Sequence, residues 1–350
     1  MNHQEPLLSV IVPFYNNEAF VIAALDSLFA QISDDIEVVI IDDGSTDASG
    51  ALVSQYLAQR RHPRVVFTSQ ANGGIAHARN VGLRLATGRY LTFLDGDDLL
   101  SDDYLAILRP LLTAGEDDLI DFNYQKFTEQ PPTPDNRATQ PVTYNFSQLG
   151  LGCLQPLFAR SMWHLWSRVY KRTLLEGETF EDGRRYEDVI FTPFQYFKTR
   201  RIAHLDCELY FYRDNSQGIT RNIKPKDIED LLFAMEKMLR FVAQHPGDEP
   251  LRRLAALMLA NCFSEVKSMS KAVYGYYHYA PATLNILRRA ADICRNSDVP
   301  GKKSARCAMR EWIPFFRSCA GASRTNRIGR AADASSLPQR VKGTCATSSS

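Results

Sequence analysis

Cysteine is scarce and unpaired in this chain: the seven, at positions 153, 207, 262, 294, 307, 319 and 345, form no CxxC and are odd in number. A zinc site or a disulfide framework needs closely spaced or matched cysteines, so reduced thiols in a reducing compartment are expected. Long hydrophobic runs are missing too, and none approaches the ~18 residues needed to cross a bilayer. The opening MNHQEPLLSVIVPFYNN has no basic start, and its apolar stretch meets Pro13 within a few residues. It does not read as a secretory signal, so the chain is expected in the cytoplasm. Neither GxxxxGK[S/T] nor GxGxxG occurs, which argues against P-loop nucleotide hydrolysis and nicotinamide chemistry. Net charge is nearly absent as well, at +1, but it is unevenly spread. Residues 301–350 hold ten Lys/Arg against Glu311 and Asp333, a net +8 that leaves −7 for the rest. A basic tail on an acidic body suits either solvated disorder or contact with an anionic lipid surface or nucleic acid.

What is present is regular. Four apolar runs rich in Val, Ile and Phe, LLSVIVPFY (7–15), IEVVIIDDG (36–44), RVVFTSQ (64–70) and RYLTFLDGDD (89–98), are continuous rather than alternating. Such runs predict strands buried on both faces. Helical stretches separate them. EAFVIAALDSLFAQ (18–31) carries an apolar stripe, STDASGALVSQYLAQRR opens on Ser45 and Asp47 as caps, and GIAHARNVGLRLATG closes on Gly88. This β-α-β-α order predicts a parallel, doubly wound sheet, in which ligands bind beyond the carboxyl ends of the strands. Residues 117–128 read as a fifth strand and 129–143 as a Pro- and Thr-rich surface loop. Residues 156–220 show no clear period. Two long helices are expected over 228–245 and 251–280, with Met and aromatic stripes that belong to a core. The Ala/Ser/Arg-rich end after about residue 325 has no packable face and is expected to be disordered. At 350 residues the chain suits one large domain with a helical appendage.

Acidic clusters fall at two predicted strand ends. Asp95-Gly96-Asp97-Asp98 crowds three carboxylates, which a hard divalent cation such as Mg²⁺ or Mn²⁺ stabilises through oxygen ligands. The alternative is a polar turn in which Asp98 caps the next segment. Asp42 and Asp43 close the second strand before Gly44 and the Ser45 and Thr46 hydroxyls. An acid there can accept from a nucleobase N–H or a ribose hydroxyl, or the cluster can simply cap the helix. NGGIAHARN (72–80) sets a glycine pair before a helix and then Arg79, a cation suited to a pyrophosphate. Glu187 and Asp188 precede an apolar, helix-like run, as a general base or as a helix cap. WHLWSRVYKR (163–172) offers aromatic platforms for a sugar ring, or ordinary packing with snorkelling bases. His77, His164 and His204 read as isolated packed or surface residues.

The blocks SVIVPFYNNEAFVIAALDSLFAQ, EVVIIDDGSTD, NGGIAHARNVGLRLATGRYLTFLDGDD and YEDVIF resemble glycosyltransferase family 2, of the GT-A fold, in order and spacing. The likeness is strong over 7–105 and extends to about 220. It implies a domain over 1–222, with a nucleotide-binding half (1–115) and an acceptor half (116–222). A helical extension over 223–322 and a basic tail over 323–350 would follow. It implies inverting transfer of one sugar from a nucleotide-diphosphate donor, with UDP as the family's usual nucleotide, to an acceptor hydroxyl. Pro13 and Tyr15 would line the base pocket, with Asp43 on the base and Asp42 beside it. Arg79 and Asp95 would serve the donor, and Asp97 would hold Mn²⁺ or Mg²⁺ on the diphosphate. Asp188 would be the base, with Glu187 orienting it or touching the acceptor. Arg213, Ser216 and Thr220 would close over the diphosphate. The processive members' Gln-x-x-Arg-Trp block is missing, so single-sugar addition is expected. The implied setting is bacterial surface-polysaccharide synthesis on a saccharide or lipid-linked saccharide acceptor at the inner membrane face. The tail would touch anionic lipid, and nucleic acid is not an expected partner. Two other functions share these features. A sugar-phosphate nucleotidyltransferase would need a Gly-rich, Arg-bearing loop after the first strand, where PFYNNEAF stands. A non-catalytic sugar-nucleotide-binding protein would have no need of Asp97 and Asp188.

Overall fold

The four apolar runs become β1 (Leu8–Phe14), β2 (Ile36–Asp42), β3 (Val65–Ser69) and β4 (Tyr90–Phe93). Every residue of β1, β2 and β4 is buried, as continuous hydrophobicity requires. Each such Val or Ile contributes about 1.5–3 kcal/mol. β3 is half-exposed because it forms the sheet's edge. The structure is a computed structural model that describes residues 5–60, 62–133, 136, 140–215 and 222–297. The basic tail, the end of the helical extension from residue 298, and Ser216 and Thr220 lie outside the described residues.

Helices α1 (Val21–Phe29), α2 (Ser49–Gln59) and α3 (Ile75–Leu85) link these strands, which pair parallel in the order β3-β2-β1-β4. α3 ends three residues before Gly88, and that glycine lies against Ser9 instead of closing the helix. Gly82 lets α3 approach the sheet closely: a Cβ there would sit 2.3 Å from Ile11 Cγ2. This approach sets the helix that carries Arg79 directly over β1.

The chain continues through β5 (Leu99–Leu100), α4 (Tyr104–Ala114), β6 (Leu119–Phe127), β7 (Val142–Asn145), α5 (Phe146–Leu149), α6 (Gln155–Arg160), β8 (Arg168–Lys171), α7 (Glu187–Tyr196) and β9 (Arg201–Arg213). The expected fifth strand is β6. β8 enters antiparallel between β4 and β6, and β9 runs parallel to β6. β9 also pairs antiparallel with β5, which brings Leu99 and Leu100 opposite Phe211 and Tyr210. Both β8 and β9 lie in the stretch without a sequence period. β8 has four residues, beginning with Arg168 and ending with Lys171, and β9 is buried unevenly, so neither shows a clean pattern.

Three helices follow: α8 (Pro225–Gln244), α9 (Glu249–Tyr274) and α10 (Pro281–Asn296). Gly275, in a left-handed conformation, stops α9 short of residue 280. The helical region joins the sheet's core through Phe194 of α7 and Phe197 just after it, whose rings lie 5.5 and 5.2 Å from Phe241 of α8. Two buried acids of α8 also grip the loop before α7. Asp230 accepts from Arg184 Nη1 at 2.8 Å and from the Arg185 N–H at 3.0 Å, and Asp227 accepts from Arg185 Nη1 at 2.9 Å.

Candidate active site

The turn after β4 is held from two sides. Asp98, almost fully buried, accepts from the Tyr210 hydroxyl at 2.7 Å and from the Arg213 N–H at 2.7 Å, which ties the turn to β9. Burial, with the Asp97 and Asp95 charges, pushes its carboxyl well up. The Asp95 N–H donates to the same Tyr210 hydroxyl at 3.2 Å. Gly96 faces β1 so closely that a Cβ would lie 2.7 Å from the Phe14 Cβ. Among the described residues, the Asp97 carboxylate has one side-chain hydrogen bond, from Asn215 Nδ2 at 3.4 Å, while its carbonyl accepts from Arg213 Nε at 2.8 Å. Burial and then the Asp95 charge raise the Asp97 carboxyl, so a nearby cation would relieve it. Of the three acids, Asp97 therefore best suits a Mg²⁺ or Mn²⁺ that completes its shell with substrate phosphates. Among the described residues, no group of three or more His, Cys, Asp or Glu could hold a metal by itself.

The ends of β1 and β2 form the neighbouring wall. Pro13 is buried in β1, and Tyr15 beyond it is 45% exposed. Asn16 clips the two loops together: its N–H donates to Ser45 Oγ at 3.0 Å and its Oδ1 accepts from the Thr46 N–H at 2.8 Å. Asp42 accepts from the Ser45 N–H at 2.8 Å. Asp43 accepts from Gln70 Nε2 at 2.7 Å, the Gly73 N–H at 3.0 Å and the Gly74 N–H at 2.8 Å, which fixes the glycine pair before α3. Both carboxylates are thus buried and already hydrogen-bonded within the protein.

Arg79 lies deeper than a pyrophosphate cation would. Its side chain is only 4% exposed, with Nη2 2.7 Å from Asp95 Oδ1 and Nη1 donating to the Glu187 carboxylate. Burial alone would ease its proton off, but the two carboxylates hold its pKa above the ordinary value. The guanidinium therefore joins the turn after β4 to the start of α7.

Glu187 and Asp188 form the first turn of α7, after Tyr186 in a left-handed backbone conformation (φ 62°). Burial raises the Glu187 carboxyl; Arg79 offsets part of this and the Asp188 charge adds to it. Asp188 goes the other way. Burial would raise it, but the His164 imidazole, the Val189 N–H and Arg79 together hold it below the usual carboxylate value. His164 Nδ1 lies 3.6 Å from Asp188 Oδ2, and the Val189 N–H is 2.8 Å from Oδ1.

Residues 9–173 match the family described as Glycosyl transferase family 2. This region belongs to glycosyltransferase family 2. The chain is 33% identical to the uncharacterized glycosyltransferase EpsJ of Bacillus subtilis over 221 residues, which covers 61% of this chain and 63% of that protein. The chain thus spans less than two thirds of that relative. Its fold is GT-A. S. aureus TarS residues 1–349, solved in complex with UDP-GlcNAc, superposes with TM-score 0.66 at 18% identity, over 92% of this chain and 93% of that one. The mannosyltransferase PcManGT from Pyrobaculum calidifontis, solved with GDP-Man and Mn²⁺, superposes with TM-score 0.53 at 18% identity, over 93% and 84%.

The structure brings Arg79 and Asp95 of the family 2 region into one connected cluster with Glu187 and Asp188, which lie beyond it in the chain, and Asp97 stands next to Asp95 in the same turn. Arg168, Lys171 and Arg172 of the Trp-rich stretch do not reach it. Arg168 is buried and donates to the Tyr196 hydroxyl at 2.7 Å, Lys171 donates to the Gly115 carbonyl at 3.1 Å, and Arg172 pairs with Glu5 at 2.7 Å. Arg213 does reach the turn, held between the Phe20 and Phe127 rings. His77 and His204 are paired with Asp182 and Asp121 at 3.1 and 2.7 Å. His164, read as an isolated histidine, instead faces Asp188. Sequence reasoning also missed Tyr210 and the latching role of Asp98. The only local signal for the latter is that Asp98 adjoins the Asp-Gly-Asp.

Proposed function

We propose that the protein is an inverting, metal-dependent glycosyltransferase that moves one sugar from a UDP-sugar to an acceptor hydroxyl in surface-polysaccharide synthesis. The observation that carries this reading is the Arg79 bridge, which ties a candidate metal carboxylate turn to the turn that bears a candidate base. The UDP-GlcNAc bound by TarS and the GDP-Man and Mn²⁺ bound by PcManGT support a nucleotide-sugar donor and a divalent ion.

In this mechanism Asp188, ionised at neutral pH, takes the proton of the acceptor hydroxyl as its oxygen attacks the anomeric carbon. The bond from that carbon to the diphosphate oxygen breaks on the opposite face, which inverts the centre. A divalent cation held by Asp97 would neutralise the charge that grows on the leaving diphosphate. Pro13, Tyr15, Asp42 and Asp43 bound the nucleoside pocket, and Asp95 sits beside it, fixed by Arg79. Glu187 holds the other end of Arg79 and keeps the base-bearing turn in register.

No helix among the described residues is long and apolar enough to cross a membrane. The basic segment 301–350 would supply peripheral contact with anionic lipid at the inner membrane face. Deleting it should move the protein from the membrane to the soluble fraction, and an unchanged distribution discards that contact. The enzyme reading is tested by screening UDP-, dTDP- and GDP-sugars with Mn²⁺ and with chelator. UDP release that depends on Mn²⁺ is expected. Donor binding with no turnover in any condition would favour a non-catalytic binding protein.

A further inference from the structure

We infer that His164 is a positioning residue for Asp188, held in place by an aromatic column that starts at the carboxylate turn after β4. The inference rests on reading Asp188 as the base. The His164 ring stacks on Trp166 with centroids 4.5 Å apart and planes 4° apart. Trp166 in turn stacks on Tyr210 at 4.2 Å and 12°. Tyr124 stands edge-on to both, 5.4 Å from His164 and 4.9 Å from Trp166. The Tyr210 hydroxyl bonds Asp98 and the Asp95 N–H, so the column runs from the carboxylate turn to the base. Stacked rings leave the imidazole little freedom to tilt.

The imidazole therefore presents Nδ1 to Asp188 Oδ2 at 3.6 Å. That is slightly beyond hydrogen-bond length, a gap that catalytic contacts often close when substrate binds. Closing that gap with the proton on Nδ1 would let the ring donate to one carboxylate oxygen while the Val189 N–H holds the other. Asp188 is then fixed in rotation and favoured in its ionised form. The other titratable or charged groups facing it are Glu187, Arg79 of α3, Tyr170 of β8, Tyr186, and Cys262 and Glu265 of α9. Among these side chains, Arg79 alone also favours the carboxylate, and it is already engaged by Asp95 and Glu187. Among the described residues, His164 is the side chain that faces Asp188 Oδ2.

The test uses the full chain with His164→Phe, which keeps a ring in the column, and His164→Asn, which keeps an N–H donor near Nδ1. UDP release is followed against pH from whichever of UDP-N-acetylglucosamine, UDP-glucose and UDP-galactose is turned over. UDP–Mn²⁺ binding is measured by calorimetry as a control for the donor side. His164→Phe should lower turnover roughly tenfold or more, as a misplaced reacting group does. It should also move the acid limb of the profile to higher pH and leave UDP affinity within about twofold. His164→Asn should restore much of the limb. A limb that stays in place in His164→Phe, or equal losses in both variants, overturns the inference. Because either variant could misfold, the imidazole ¹⁵N spectrum of the Asp188→Asn protein gives a second readout. The His164 Nδ1 signal should shift, and an unchanged signal also overturns the inference. If Asp188→Asn keeps full turnover, the base reading itself fails. If it is inactive while the His164 readouts do not move, only the positioning role fails.

Discussion

Arg79 Nη2 lies 2.7 Å from Asp95 Oδ1, and the opposite end of the same buried guanidinium meets Glu187. One cation thereby serves two acids that come from separate elements, the turn after β4 and the start of α7. A guanidinium presents donors in a rigid fork, so it can bridge two carboxylates at fixed separation, whereas an ammonium acts as a point charge.

Replacing Arg79 with Met should destabilise the fold by about 3–5 kcal/mol, because both partly buried carboxylates lose their counter-charge. Arg79→Lys should keep part of the stability and lose most of the activity, since one ammonium cannot hold both acids in register. Urea midpoints together with UDP release check this. A Met variant as stable as the parent would show that the bridge is incidental.

Gly96→Ala places a methyl 2.7 Å from the Phe14 Cβ, so the turn must move away from β1. Overpacking of this kind costs about 1–3 kcal/mol. Mn²⁺-dependent nucleotide binding should weaken along with thermal stability, because the displaced turn carries Asp97. A calorimetric Tm and a UDP titration read the two effects separately.

The parts of this site that were legible in the sequence are the local ones. β1, β2 and β4 announce themselves because strands buried on both faces need unbroken apolar runs, and a carboxylate just past such a run has few reasons to be there. Glu187 and Asp188 were legible for the same reason, as acids at the start of an apolar helix. The rest depends on distance along the chain. Arg79 lies 108 residues from Glu187, and nothing near it distinguishes a pyrophosphate cation from an internal bridge. The order of WHLWS does not say that the rings of His164 and Trp166 will stack, because Tyr210 arrives from β9 to complete the column. β8 and β9 themselves take their conformation from their neighbours in the sheet rather than from a hydrophobic period.

Asp97→Ala and Asp188→Asn separate the two halves of the chemistry. The first should abolish the mutual enhancement of Mn²⁺ and UDP binding and, with it, turnover. The second should leave that binding intact and lower turnover by roughly 10²-fold or more, the usual contribution of a general base. Calorimetry with UDP and Mn²⁺, alone and together, alongside UDP release, distinguishes them. Full turnover in both variants would move the site away from these residues.

The two acids at the start of α7 should have pKa values displaced in opposite directions. Against burial, the His164 imidazole and the Val189 N–H hold Asp188 below the usual aspartate value, and burial raises Glu187 above the usual glutamate value. A depressed carboxyl is ionised throughout the neutral range, and the stability it contributes is present above its unfolded value and lost as pH falls through the folded one. The raised carboxyl has the reverse sign: folding favours its protonated form below the unfolded value, and that advantage is lost as pH rises through the folded one. Titration of ¹³C-labelled carboxyl groups, assigned with Asp188→Asn and Glu187→Gln, should show the aspartate signal moving at the lower pH. The opposite order would hand the role of base to Glu187, because the group already ionised at neutral pH is the one ready to accept the acceptor's proton.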